Sequence, residues 1–500
     1  MSGKFFLAGL VSCAMLLCSQ GVAQSFSASY SPTRNFRPSA ETMKTISASF
    51  TEEMKNNVAE NKKVRDMINE SLGNLSEYIA ALDSFRLIMD SDSMTRYLKK
   101  IVDRICEKNP GLIKDKLHVF TSRTDVPNAA NLGKGILLVN LGLINKFHSE
   151  PEIVFVLCHE ISHQVLQHVM SGIKNRAELF YNKDFQEELK KAKSKEYNSL
   201  KSTEALRIKY LSRFTDYSRE KEYEADSLGL ILFHNAGYPP SSAVSAMNLL
   251  DSIDIPLYNA PINYRNYFEF KQYPFRNEWL AIDPTLGELG GNLDSLRVPP
   301  DSLKTHPECA LRAKALERIS KKQSMNSSNN FLLSPNYSYY QITSCFERIE
   351  HYLNEEEFGM ALYDALQLSS RHPDNLFLKC AIANSLCEIY NAQIKHSFSR
   401  AVDFPDIRYS KSYNEFLSFL QNLSTSQLKT ITVNYCNEAV INFKKEDPYC
   451  RYIDFLLKGM DKSKTEYPAL VADYQKDNIL DAHYKALLDK KYSINSTKKK

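Results

Sequence analysis

Taken position by position, the alternation of apolar and polar residues is helical over most of this chain. Apolar residues recur at helical spacing from Met43 to Tyr78 and from Ser93 to Lys108. Ser149-Glu150-Pro151-Glu152 has the spacing of a capping box, with proline in the first turn, where a missing N–H costs nothing. Ile153 to Cys158 are then apolar all round, as in a helix enclosed by a domain, and Gly172 is the expected stop. Gly135-Ile136-Leu137-Leu138-Val139-Asn140 reads as a strand beside that helix, whose edge would suit an extended peptide, with an ordinary loop into a core strand as the alternative. From Ile173 to Phe214 the chain is dense in Lys and Glu, with leucine and alanine at helical spacing, which predicts long, partly solvated helices.

Residues 256–300 break this regime. Tyr258, Tyr264, Tyr267, Phe268, Phe270, Tyr273, Phe275 and Trp279 are interleaved with proline and asparagine and follow no period, so irregular structure is expected. Its position between motifs described below suggests a lid or pocket wall, with a separately packed surface loop as the alternative. Beyond the polar break Met325-Asn326-Ser327-Ser328-Asn329-Asn330 the pattern is helical again. Glu355 through Leu366 to Pro373 and Asn375, then Ala381 to Tyr390, resemble one tetratricopeptide-like helix pair, with a looser echo from Ala439 to Tyr467. Such arrays need about three units, so a plain helical appendage fits nearly as well. Either form would suit a groove that recruits a protein client. The expected fold class is α+β, mostly α.

Composition and the chain's start add bounds. Lys4, the apolar stretch Phe5 to Leu17 and Gly21-Val22-Ala23 read as a secretory signal over 1–23, so an exported, most simply periplasmic, protein is expected. Leu10-Val11-Ser12-Cys13 offers a lipoprotein as the alternative, and an uncleaved anchor and plain secretion are others. No later stretch reaches the ~18 uninterrupted apolar residues that span a bilayer. Once the signal is removed, peripheral membrane contact is left open. A net charge of +4 over 500 residues suggests no nucleic-acid surface. Of ten cysteines, Cys13 and Cys18 would leave with the signal; the others are too sparse for a disulfide scaffold, although Cys380 with Cys387, or Cys436 with Cys450, could pair. Residues 24–60 form a mobile and helical lead-in, 61–325 the domain with the chemistry, and 326–500 a helical domain.

The chemistry lies in His159-Glu160-Ile161-Ser162-His163. At i and i+4 of a helix both imidazoles reach one cation, and Glu160 projects beside it as a general base for peptide hydrolysis. A third histidine at the metzincin spacing is missing, because Val169 stands there and Leu166 replaces the glycine. On a continuous helix His168 would point to the opposite side, so it reads as structural. Downstream, Glu222 and Asp226 share a helix face, one to bind a metal and one to fix an imidazole tautomer. Glu220 and Glu224 have the same spacing, and geometry alone does not choose between the pairs.

These motifs resemble the zinc metallopeptidase family of HtpX, the CAAX prenyl proteases and BepA. Its pattern H-E-x-x-H-x(4)-H, then E-x-E-A-D-x-x-G, then A-G-Y/F-x-P is met by His159 to His168, Glu222 to Gly229 and Ala236-Gly237-Tyr238-Pro239-Pro240, and Thr305-His306-Pro307 with Arg312 resembles its T-H-P-x(4)-R element. The resemblance covers about 60–325 and favours the soluble, BepA-like branch. It implies a gluzincin-like domain with a small edge-stranded sheet, and one Zn2+ per chain on His159, His163 and Glu222, with Asp226 behind them. His306 is implied as a removable block or transition-state donor, with Arg312 nearby for carboxylate or oxyanion contacts. Pro127-Asn128-Ala129-Ala130-Asn131 is similar to the family's Asn-Ala segment, with Ala130 where phenylalanine is usual, which makes Asn128 and Ala129 substrate-binding candidates. The function so implied is an exported zinc endopeptidase acting on protein or peptide substrates, in the setting of envelope quality control. A client-binding scaffold with a structural or latent zinc site is the alternative.

Overall fold

The computed structural model describes residues 32, 37–193, 219–251, 261–281, 308–322, 337–406, 409–460 and 466–476. The expected signal, Thr305-His306-Pro307 and most of the charged tract after Lys193 lie outside the described residues. The chain divides into two compact units, Asn35–Asp254 with Val298–Ser344, and Ile255–Arg297 with Cys345–Lys500. Among the described residues no helix is long and apolar enough to cross a membrane.

In the first unit, α1 (Ala40–Lys55) and α2 (Lys62–Ser84) form a hairpin, each capped by a side chain, Ser39 and Asn61. The uninterrupted helical pattern from Met43 to Tyr78 is thus broken once, at residues 56–61. Strand β1 (Ile88–Met89) precedes α3 (Ser93–Lys108), which starts on the Asp92 carboxylate. Strands β2 (His118–Ser122), β3 (Ala129–Asn131) and β4 (Ile136–Asn140) complete a mixed sheet of order β1-β2-β4-β3. β2 runs parallel to β4, and β3 antiparallel to it.

The strand expected at the edge is therefore interior, and the edge belongs to the short β3. Gly133, Lys134 and Gly135 all have positive φ and fold β3 back along β4; a side chain at Gly135 would lie 2.2 Å from the Lys116 carbonyl oxygen. The apolar run of β4 is buried on both faces. Leu137 and Val139 join Val119 on the face toward the central helix, whereas Ile136 and Leu138 join Phe120 against Ile68 and Leu72 of α2.

That central helix is α5 (Glu150–Val165), reached through the short α4 (Leu141–Lys146). The Glu152 carboxylate accepts the N–H groups of His148 and Ser149 at 2.7 and 3.0 Å, and Ile153 to Cys158 are all buried. The helix does not continue to Gly172. It ends at Leu166 and Gln167, the latter left-handed at φ 55°, and a new helix α6 (His168–Phe180) sets out in another direction with Gly172 inside it. α7 (Lys183–Lys193) follows. The next described helix, α8 (219–235), crosses α5 so closely that a side chain at Gly229 would meet the His159 backbone at 3.2 Å. α9 (Pro240–Asp251) and α10 (Cys309–Lys322) complete this layer, and Leu230, Phe233, Met247 and Leu316 share one core with α5.

The other unit is helical. α11 (Tyr337–Asn354) carries the division between the units, and α12 (Phe358–Ser369) and α13 (Leu376–Ile394) are the helix pair expected from the sequence. α14 (Lys411–Asn422), α15 (Thr425–Ala439), α16 (Pro448–Met460) and α17 (Tyr467–Lys476) follow. The described part of the aromatic stretch groups with these helices and not, as the sequence reading had it, with the domain spanning 61–325. Phe419 of α14 has the rings of Tyr264 and Phe268 at 4.9 and 5.4 Å, and Trp279 meets Phe275 at 5.2 Å. Asn422 donates to the carbonyls of Trp279 and Ala281 at 3.1 and 2.7 Å. These rings form a hydrophobic core of their own, which accounts for an aromatic run without a period. The cysteines of the described residues form no disulfide. Cys387 adjoins Cys436, a pairing across helices that neither expected pair anticipates; that contact and burial push its thiol up.

Candidate metal centre

Helices α5 and α8 deliver three donors to one point. The Nε2 atoms of His159 and His163 are 3.0 Å apart, and Glu222 lies 3.4 Å from each, Oε2 toward His159 and Oε1 toward His163. One ligand atom from each residue falls within 4.8 Å of the others. All three are folded in, His159 and Glu222 being buried and His163 partly so. Glu220 is exposed, and Glu224 is engaged elsewhere.

Each imidazole is oriented from behind. Asp226 Oδ1 lies 3.0 Å from His159 Nδ1, so that nitrogen carries a hydrogen and Nε2 is the atom left to face a metal. His168, read from the sequence as pointing away, instead sits beside His163. The break at Gln167 swings it back, so that its Nδ1 is 2.8 Å from His163 Nδ1 and its Nε2 3.1 Å from Glu224 Oε2. Burial, with His163 and Lys221 nearby, pushes the His168 pKa down to about 4, so the ring is neutral at pH 7. A neutral His168 that donates from Nε2 to Glu224 must accept at Nδ1 from His163. The His163 lone pair is then on Nε2, directed at the same point as Nε2 of His159.

Behind these residues Arg312, only 1% exposed, grips Asp226 with Nε and Nη2 at 2.7 Å each, and its Nη1 lies 2.8 Å from Glu222. Arg312 thus meets carboxylates, one of the two contacts the resemblance implied, and it is not among the residues lining the cleft, where a gate or transition-state contact would stand. Burial works against charge on Asp226, and Arg312 and His159 outweigh it to hold its carboxyl below the ordinary value. Burial likewise opposes a charged His159, yet Asp226 and Glu222 hold its pKa up to about 10. Once a metal displaces the His159 proton and both imidazoles are neutral, the three carboxylates of Glu160, Glu222 and Asp226 against the single Arg312 cation leave a net of −2 in a buried cluster. A divalent cation balances it, and two imidazoles with a carboxylate are a donor set suited to zinc.

In front lies a cleft of about 640 Å³, lined by Glu160, His163, Glu222 and the edge strand. Asn128 and Leu132 bond to β4, through Asn140 N–H and Ile136 O at 2.9 Å each, so Ala129 and Asn131 turn their main-chain groups to the open edge. There the Asn131 N–H donates to Glu160 Oε2 at 2.7 Å. Asn128 Oδ1 and Asn131 Nδ2 are buried polar atoms without a hydrogen-bond partner, and both residues line the cleft. The structure thus brings His159, Glu160, His163, Glu222, Asp226 and Arg312 into one cluster, with Asn128 and Ala129 along the cleft. His306 is outside the described residues. Sequence reasoning missed His168 and the contribution of α2, whose Ser71, Asn74 and Leu75 line the cleft. No glycine marks the break before His168; the cue was its place as the last histidine of the H-E-x-x-H-x(4)-H pattern, to which the sequence reading gave only a structural role.

Residues 92–320 match Peptidase family M48. The mitochondrial metalloendopeptidase OMA1 of Arabidopsis thaliana is 31% identical over 135 residues, 27% of this chain and 26% of that protein. The mitochondrial metalloendopeptidase OMA1 of Bos taurus is 28% identical over 250 residues, 47% of this chain and 43% of that protein. The chain thus spans less than half the length of either relative.

Proposed function

Because residues 92–320 are a Peptidase family M48 domain, and so a metallopeptidase domain, we propose that the chain is a zinc endopeptidase that hydrolyses extended segments of protein substrates. One observation carries the reading: the Nε2 atoms of His159 and His163 and the Glu222 carboxylate converge, each imidazole oriented from its far side, with Glu160 at the mouth. His159, His163 and Glu222 would hold the metal. When bound, zinc supplies Lewis-acid polarisation of the scissile carbonyl and acidifies the attacking water.

The remaining steps belong to the chain's own residues. Ala129 and Asn131 offer main-chain groups to a substrate strand, and Asn128 and Asn131 supply the unpaired side-chain atoms beside it. Glu160 takes the proton of the attacking water and returns it to the leaving amine nitrogen. Asp226 and His168 keep the imidazole hydrogens away from the ligand face, and Arg312 keeps Asp226 charged in a buried setting and pairs with Glu222. The leader-like residues 1–23 add the proposal that the protein acts after export; amino-terminal sequencing of the native protein should begin near Gln24.

Chelation tests the reading. Purified protein should contain one zinc, lose cleavage of denatured casein on chelation and regain it with added zinc, whereas His163→Ala should neither retain the metal nor cleave. Cleavage that survives complete zinc removal would contradict it.

A further inference from the structure

The cleft has a second end, away from the metal donors, and nothing above assigns it a role. Its walls are Ser71, Asn74 and Leu75 of α2 and Gly172, Ile173 and Arg176 of α6. α2 lies outside the residues that match Peptidase family M48. It is nevertheless fixed in place, because Ile68, Leu72 and Ile79 on its inner face share a core with Met170 and Ala177 of α6 and with Ile136 and Leu138 of the sheet. The groove between α2 and α6 is therefore a built wall of the cleft.

Gly172 shows what the groove is shaped for. It stands in the middle of α6, where glycine weakens a helix, and no positive φ demands it. Among the described residues a Cβ built on it has nothing within 4 Å, so crowding by them does not demand it either. What the missing side chain leaves is room inside the cleft. Along the helix Gly172 is one turn beyond His168, about 6 Å. Successive side chains on one face of an extended peptide are roughly 7 Å apart. A substrate side chain one or two residues from the scissile bond would thus reach the groove. Leu75, Ile173 and Val169 give it apolar walls, with Ser71, Asn74 and Arg176 among its polar members. Among the described residues lining the cleft, the carboxylates are Glu160 and Glu222, both at the metal end.

We propose that the α2–α6 groove is a side-chain subsite for bulky apolar residues, with Gly172 providing its depth and α2 its selectivity. The inference rests on the peptidase reading for its substrate class. Lysine and arginine side chains are disfavoured there, since Arg176 offers a like charge and, among the described residues lining the cleft, the carboxylates stand at the metal end.

The test uses zinc-loaded full-length protein carrying Glu160→Gln, and fluorescence polarisation of extended peptides that differ at one position as Ala, Leu, Phe or Lys. Leu and Phe peptides should bind about 10-fold or more tighter than Ala or Lys peptides. Adding Gly172→Phe should bring the four within roughly 3-fold of one another, with no fall in melting temperature. If that variant does not fold, Asn74→Phe fills the groove from an exposed position on the opposite wall. No peptide binding, equal binding of Lys and Leu peptides, or an unchanged ranking in the folded filled variant would overturn the subsite. The peptidase reading fails separately: wild-type protein would then bind with the expected ranking and cleave none of the peptides.

Discussion

Glu160 and His168 occupy opposite ends of the certainty that a short motif offers. The first was legible because a helix repeat fixes where residues i, i+1 and i+4 point, and no distant part of the chain can change that. The second depended on Gln167 adopting a left-handed backbone without glycine, which no local signal announces. His168→Ala should weaken zinc binding about 10- to 100-fold, read by competition with a chromophoric chelator, because His163 loses the acceptor that fixes its tautomer. Arg312→Met should lower unfolding free energy by about 3–5 kcal/mol in chemical denaturation, since it leaves Asp226 and Glu222 buried without their cation. The His159 pKa is raised to about 10, so metal-free protein holds that proton at pH 7 and zinc must displace it. Calorimetric titration of zinc in buffers of different ionisation enthalpy should therefore register proton release at pH 7; none would contradict the assignment of His159.

Elements whose ends are set by capping were read closely from sequence. Ser93–Lys108 was anticipated with both ends, and the Ser149 to Glu152 start of α5 holds as the carboxylate bonds require. Elements defined by partners were not. The run from Ile136 to Asn140 is apolar on both faces, which is equally compatible with an edge and an interior strand; only the return of the chain at Gly133–Gly135 places Ala129–Asn131 outside it. The same limit explains why Glu222 could not be separated from Glu220 or Glu224 by spacing, since the rotation of α8 is fixed by the close approach of Gly229 to α5. In α6, Gly172→Ala should raise stability by about 0.5–1 kcal/mol in equilibrium denaturation, because an added methyl meets none of the described residues.

At the scale of the whole chain, the expected order of one catalytic domain followed by one helical domain is replaced by two units, each built from separated segments. Aromatic residues without a period gave no direction, because their partners are Phe419 and Tyr435, more than a hundred residues later. Trp279, the only tryptophan, reports on that packing: it is 1% exposed. Truncation after residue 325 should shift its emission to the red, and Phe419→Ala should cost about 3–5 kcal/mol in the helical unit's unfolding. The account as a whole rests on Glu160 serving as the base of a zinc peptidase. Its most direct test compares wild type with Glu160→Gln at equal zinc content on a denatured polypeptide: the variant should keep its metal and fold while cleavage falls about 10²- to 10⁴-fold, and cleavage at the wild-type rate by the zinc-loaded variant would contradict the claim.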